Sequence, residues 1–411
     1  MNRPDHFELP AVPFAQHPEF ERALRRLMEW TIPALLKRSS EVLPQALFLS
    51  GTAAWGEMSG VPCSNGLWLP LSDIDLSLVV KHRTPELKGI LEHDLQQNFR
   101  ERGRATGLSA SPVTIGTYDI KKLRLQAPTL GVAEMRRAGC CLWGDAKLLY
   151  RFPDPERDGL RRWEIIRLLF NRSMELVEAC AAADKAAATG DEEAAWKRGY
   201  LTAKMSSDLG TILLAMEGRL LWGMANRLSV LDDWVSEGLL PKALGDFLKE
   251  SVRCRQDPTS LQPERKTSWD RLEPLADMLG WLHWTWDRIL DKYNLTERPF
   301  PHTVLRWEEG GLRDRFRQLR QILTTPQERG KLRSLANWWG MRPAACFRSS
   351  LGSTCLMYLL LLDPGREQWS LSAREHLGGL SPWVDGRSRE APRSALQELG
   401  RWIVWMRGIE G

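Results

Sequence analysis

The chain has 411 residues, more than one compact domain usually holds, so two or three domains are expected. Its apolar fraction of 43% and charged fraction of 27% are ordinary for a globular protein and exclude a low-complexity or highly charged disordered chain. A net charge of +5 is small for this length; it suits anionic ligands without requiring a long nucleic acid.

In chain order, "PEFERALRRLMEWTIPALLK" (18–37) carries apolar residues at helical spacing, and Pro33 is expected to kink that helix or mark a boundary. "ALFLSG" reads as a strand ending in a turn, and "GTAAWGEMSG" as the start of a helix. "VPCSNGLWLP" is a Pro/Gly-rich loop, and "DIDLSLVV" a second strand rich in leucine and β-branched residues. Residues 85–103 form a helix with Ile90, Leu91, Leu95 and Phe99 at matching spacing, and "SPVTIGTYDI" (111–120) is another strand. "GVAEMRRAGCCLWGDAKLL" reads as a helix, a turn and a short element. Strands alternating with helices up to about residue 150 argue for a layered fold with a sheet.

Beyond residue 155 the strand signals fade and long amphipathic helices take over, with a connector at 258–268 and a Pro/Gly boundary near 299–311. The expected class is α+β: an N-terminal mixed sheet with helices, then an all-α bundle. The expected division is 1–44 (helical segment), 45–150 (sheet domain), 151–298 (helical bundle) and 299–411 (C-terminal helical region). The 19 tryptophans, many in runs such as "GWLHWTWDRI", are expected to fill helix–helix contacts. Seven cysteines show no C-x-x-C and no zinc-ligand spacing, so free thiols are expected, with Cys140 and Cys141 in the core. The N-terminus has no apolar signal region, and the longest apolar run, "TCLMYLLLL", is too short for a bilayer. A cytoplasmic protein with no membrane partner is the expectation.

Two aspartates, Asp73 and Asp75, interrupt the apolar strand that follows the turn "SGTAAWG". Buried carboxylates are costly unless paired, hydrogen-bonded or bound to a cation. Residues i and i+2 of a strand share a face, so both carboxylates project together. Their repulsion is relieved by a shared proton or a divalent cation. Mg²⁺ takes oxygen ligands at about 2.0–2.1 Å, commonly one or two carboxylates plus phosphates and water. The turn supplies the complement: Gly51 lets the backbone approach a ligand, and Ser50 and Thr52 offer hydroxyls. A helix starting after Thr52 would turn its free N–H groups toward a phosphate.

A strand ending in Gly-Thr, a helix, then "SDIDL" on the next strand resembles the nucleotidyltransferase superfamily, the polymerase-β-like fold. The resemblance covers about residues 45–150 and is closest to bacterial members with a minimal transferase domain and a helical C-terminal half, of the kanamycin-nucleotidyltransferase-like type. It implies that Ser50, Gly51 and Thr52 hold the triphosphate of an NTP such as ATP, and that Asp73 and Asp75 hold metal. A third carboxylate from a later strand usually completes a two-metal Mg²⁺ site, which Mn²⁺ can also serve, and Asp119 is the candidate ligand and catalytic base. Trp55 stands where many members have Arg, and the segment 57–70 is longer than in minimal members, suggesting a lid or substrate contact. A weaker resemblance in 197–227 implies that Lys204, with Asp208 and Arg227, faces the nucleotide or acceptor. The implied reaction moves a nucleoside monophosphate to an acceptor hydroxyl with release of pyrophosphate. The acceptor is expected to be a small molecule or protein rather than a long nucleic acid, since no clear basic stripe is visible. The alternatives are a non-catalytic nucleotide-binding module and a D-x-D glycosyltransferase. Oligomeric state is not legible. The basic run 311–333 reads as a solvated mixed-charge face.

Overall fold

The structure is a computed structural model describing residues 9–109, 113–126, 128–154, 160, 162–187, 192–261 and 273–292. The expected region 299–411, with the basic run 311–333, lies outside the described residues. The chain is α+β, with a mixed sheet and many helices. It divides into two compact units: residues 1–161 with 195–263, and residues 162–194 with 264–411.

The first unit is built on four strands, β1 (Pro44–Ser50), β4 (Ile74–Val80), β5 (Val113–Asp119) and β6 (Cys140–Gly144), in the order β5-β4-β1-β6. β1 runs antiparallel to both neighbours, whereas β4 and β5 are parallel. A parallel pair needs a crossover, supplied here by α3 (Leu87–Thr106). Period-2 alternation sorts the strand side chains into two cores. Leu47, Leu49, Ile74, Leu76, Leu78, Val113 and Ile115 face α3 and α1 (Pro18–Arg38), meeting Leu24, Leu27, Leu91, Leu95 and Phe99. Ala46, Phe48 and Val79 face the other way, toward Val132 and Met135 of α4 (Leu130–Ala138) and Leu148, Leu149 and Phe152 of the 3₁₀ turn after β6. Cys140 and Cys141, expected in the core, are half-buried free thiols on opposite faces of β6.

α1 continues through Pro33 to Arg38, so the expected boundary is absent. Its side chains enter the same core as the strands, and the expected division at residue 44 falls inside one packed layer. The segment 57–70, expected as a lid or substrate contact, carries a small hairpin, β2 (Gly60–Pro62) and β3 (Trp68–Pro70). Val61, Leu69 and Leu71 bury against Trp196 and Tyr200 of α6 (Glu192–Met216). A buried apolar stripe is the reason this segment is fixed scaffold. Two further helices belong to this unit, α7 (Met224–Ser236) and α8 (Lys242–Gln256). In the second unit the described helices are α5 (Arg162–Ala187) and α9 (Glu273–Lys292), with the first residues of α6. No helix of the described residues is long and apolar enough to cross a membrane.

Candidate functional site

The turn after β1 carries the tightest contact of the candidate site. β1 ends at Ser50, paired with Asp75, and Ser50 Oγ donates to the Asp75 carbonyl at 3.4 Å. The chain then enters α2 (Gly51–Ala54), a single helical turn and not the longer helix expected. Gly51 has φ of +71°, the left-handed region that disfavours any residue with a Cβ. A Cβ there would lie 2.8 Å from Asp75 Oδ2 and 3.8 Å from Glu134 Oε1. Two carboxylates, one on β4 and one on α4, thus converge on the bare α-carbon of the turn.

Asp73 immediately precedes β4 and is half-buried, as is Asp75. Ile74 and Leu76 are fully or nearly fully buried on the opposite face, so strand alternation fixes Asp75 on the α4 side. Asp75 Oδ1 accepts a 2.7 Å hydrogen bond from Thr114 Oγ1, its cross-strand partner on β5. That bond orients the carboxylate and leaves Oδ2 toward the turn.

Asp119 does not join this group. On β5 the residue level with Asp75 is Thr114; Asp119 is level with Val80. Five residues of strand place it roughly 16 Å away, and the odd offset turns it to the other face. Its carboxylate caps the following 3₁₀ turn (Ile120–Leu125), accepting from the Lys121 N–H at 2.8 Å. Position on the same strand was a sound expectation; the register decides against it. Among the described residues no group of three or more His, Cys, Asp or Glu side chains is arranged to hold a metal. Asp73 and Asp75 supply oxygen donors of the kind a hard divalent ion takes, and Asp119, level with Val80, is too far along the sheet to join them.

Of two residues nearby, Glu134 carried no sequence signal, whereas Arg227 was expected, with Lys204 and Asp208, to face the nucleotide or acceptor. Glu134 lies on the flank of α4, between the buried Ala133 and Met135. Arg227 of α7 places its guanidinium 5.2 Å from the centre of the Trp55 ring, at the end of the same turn. Its Nε donates to the Leu221 carbonyl and one terminal nitrogen to Thr211 Oγ1 at 3.0 Å. Protein packed around it pushes its pKa down, while the charges of Asp208, Glu134 and Glu57 oppose that shift and Arg255 adds to it. Arg227 of a separate helix thus sets a guanidinium beside Trp55. The indole Nε1 of Trp55 is buried with no hydrogen-bond partner.

Behind the turn lies a buried polar network reaching the helices. Glu57 accepts from the Met224 N–H at the start of α7, 2.9 Å to one oxygen and 3.1 Å to the other. Burial raises its pKa, the backbone bond and the Arg227 and Arg255 charges opposing. Ser72, next to Asp73, shares a 2.6 Å hydrogen bond with the buried Tyr200 hydroxyl of α6 and receives the Ser59 N–H at 3.3 Å. Burial alone would raise the Tyr200 pKa, but Arg255, Lys204 and the Ser72 and Ser59 hydroxyls bring it down. Asp208 is buried, 3.5 Å from an Arg255 nitrogen. Lys204 is thus close to Tyr200, whose hydroxyl bonds Ser72 next to Asp73. Comparison with protein-family models, with curated proteins and with solved structures finds no match to this chain.

Proposed function

We propose that the chain is a nucleotidyltransferase that moves a nucleoside monophosphate from an NTP to an acceptor hydroxyl. The observation that carries this reading is the abutment of Asp75 Oδ2 on the Gly51 α-carbon. A phosphate-sized anion held by the turn and a cation held by Asp73 and Asp75 would be neighbours there, which is what a metal–triphosphate complex requires. The sheet order β5-β4-β1-β6, with a turn after β1 and the aspartates entering β4, supports a nucleotidyltransferase-type sheet, followed by helices forming the acceptor side.

In this reading the Gly51–Thr52 backbone and the Ser50 and Thr52 hydroxyls receive the triphosphate. Asp73 and Asp75 would hold Mg²⁺, or Mn²⁺ in its place, with Thr114 fixing the Asp75 carboxylate. Such an ion would supply charge neutralisation at the phosphates. Arg227, stacked on Trp55, supplies the cation that faces the phosphates. The acceptor oxygen attacks the α-phosphorus as its bond to the β-bridging oxygen breaks, and pyrophosphate leaves with the electron pair. Glu134, the other carboxylate at the turn, takes the acceptor proton, the part expected of Asp119.

A second reading, a nucleotide-binding module without transfer activity, is favoured by one observation. The β5 residue beside Asp75 is Thr114, a hydroxyl where a carboxylate would complete a two-metal site. Titration of each NTP into protein with Mn²⁺, alongside Asp73→Asn and Asp75→Asn, tests what the two readings share. Both require metal-dependent binding that the substitutions abolish; binding that ignores the metal and both substitutions would refute them. Release of pyrophosphate separates the first reading from the second.

A further inference from the structure

The small net charge conceals a concentration of cations at one edge of the sheet. β4 and β5 are parallel and end at the same edge, and β6, antiparallel to β1, ends there too with Gly144 level with Ala46. Three connections leave from that edge, residues 81–86, 119–126 and 145–151. They carry seven cations, Lys81, Arg83, Lys121, Lys122, Arg124, Lys147 and Arg151, against three carboxylates. Two of those carboxylates, Asp119 and Asp145, are occupied capping 3₁₀ turns through the Lys121 and Lys147 N–H groups. Lys121, Lys122, Arg124 and Lys147 are exposed and have no acidic partner among the described residues.

The edge is also built. Arg83 Nε donates to Thr117 Oγ1 of β5 at 3.1 Å, tying the first connection to the sheet, and Arg151 donates to the Ile120 carbonyl at 3.0 Å, tying the third connection to the second. The same patch displays Tyr150, 71% exposed, with the Arg136 guanidinium 6.0 Å from its ring centre, and Leu125, 79% exposed. Exposed cations on a fixed frame, with an aromatic ring among them, match what a flexible polyanion with stackable bases needs.

We propose that this edge binds single-stranded nucleic acid, its lysines and arginines tracking the phosphates and Tyr150 stacking on a base. It lies at the end of the sheet opposite Asp73 and Asp75, so it is a docking surface separate from the candidate chemistry and does not rest on nucleotidyl transfer. An anionic membrane surface would meet the charges, but the tyrosine stands beside an arginine, the pairing that base stacking uses.

The test is fluorescence anisotropy with a labelled single-stranded oligonucleotide of mixed sequence, across a salt series. Lys121→Glu, Lys122→Glu and Lys147→Glu together should weaken binding at least tenfold. They should also flatten the slope of log affinity against log salt by about 2, since each lost phosphate contact contributes about 0.7. Tyr150→Ala should weaken binding about fivefold or more with the slope unchanged. A matched reversal of Arg22, Arg104 and Arg253, exposed cations elsewhere on the same unit, should leave affinity within about twofold, the scale of long-range charge effects at moderate salt. Equal losses from the two triple variants, no binding by the wild-type protein at low salt, or binding only to anionic vesicles would each overturn the proposal.

Discussion

Replacing Gly51 by alanine separates backbone strain from the contact that defines the candidate site. Gly51 and Gly66 have nearly the same φ, +71° and +77°. At Gly66 a Cβ meets nothing within 4 Å; at Gly51 it meets Asp75 Oδ2 at 2.8 Å. The left-handed conformation costs an alanine about 1–2 kcal/mol, so Gly66→Ala should lose that much. Gly51→Ala carries the same strain and must also push Asp75 aside, a carboxylate held from the far side by Thr114. Losing that hydrogen bond adds about 0.5–1.5 kcal/mol, the lower part of the range being apt because Thr114 is exposed. In a unit of this size the combined loss lowers Tm by roughly 3–10 °C, against about 2–8 °C for Gly66→Ala. Urea unfolding and calorimetric titration with Mn²⁺ and NTP read the two effects. Gly66→Ala should keep its binding, and Gly51→Ala should lose most of it. Equal destabilisation with unchanged nucleotide binding in both variants would refute the reasoning.

Other substitutions bear on the remaining contacts. Asp119→Ala should leave nucleotide binding and any turnover within about twofold of the parent while costing about 0.5–1 kcal/mol as a lost cap, measured by urea unfolding; collapse of activity would restore it to the site. Tyr200→Phe removes one of the two hydrogen bonds of the buried Ser72 hydroxyl, the Ser59 N–H remaining, and should cost about 0.5–1.5 kcal/mol in urea unfolding. Glu57 makes stability depend on pH: its raised pKa means the folded chain keeps a proton the unfolded chain has lost. Stability should therefore fall as pH rises from the ordinary carboxylate value through the folded one, and Glu57→Gln should flatten that slope in thermal melts taken between pH 4 and 8, the span acidic titrations cover.

The parts of the site that sequence revealed are those set by local rules. Strand alternation put Asp75 on the side away from Ile74 and Leu76, and the Gly-Thr turn after an apolar strand marked where the chain would approach it. What stayed hidden depends on register and on distant segments. Asp119 and Thr114 are five residues apart on one strand, and only the pairing with β4 tells which is level with Asp75. Glu134 comes from a separate helix, with no motif around it that separates it from surface charges; Arg227 was named with Lys204 and Asp208, but its place beside Trp55 follows only from the packing of α7. The hairpin 60–70 looked like a loop because Pro and Gly dominate it; its burial against Trp196 and Tyr200 is a tertiary effect that local propensity does not carry. The basic edge escaped for the same reason: its cations lie in three short segments far apart in sequence, gathered by strand direction alone.

The first experiment to perform is incubation with each α-labelled NTP and Mg²⁺ or Mn²⁺, following pyrophosphate release and label transfer for wild type, Asp73→Asn, Asp75→Asn and Glu134→Gln. Nucleotidyl transfer predicts release by wild type and none above background by either aspartate variant, with Glu134→Gln bound to nucleotide but slowed by about 10²-fold or more, the usual share of a general base. Metal-dependent binding without release from any NTP, over a broad screen of acceptor hydroxyls, would contradict transfer and leave a nucleotide-binding module.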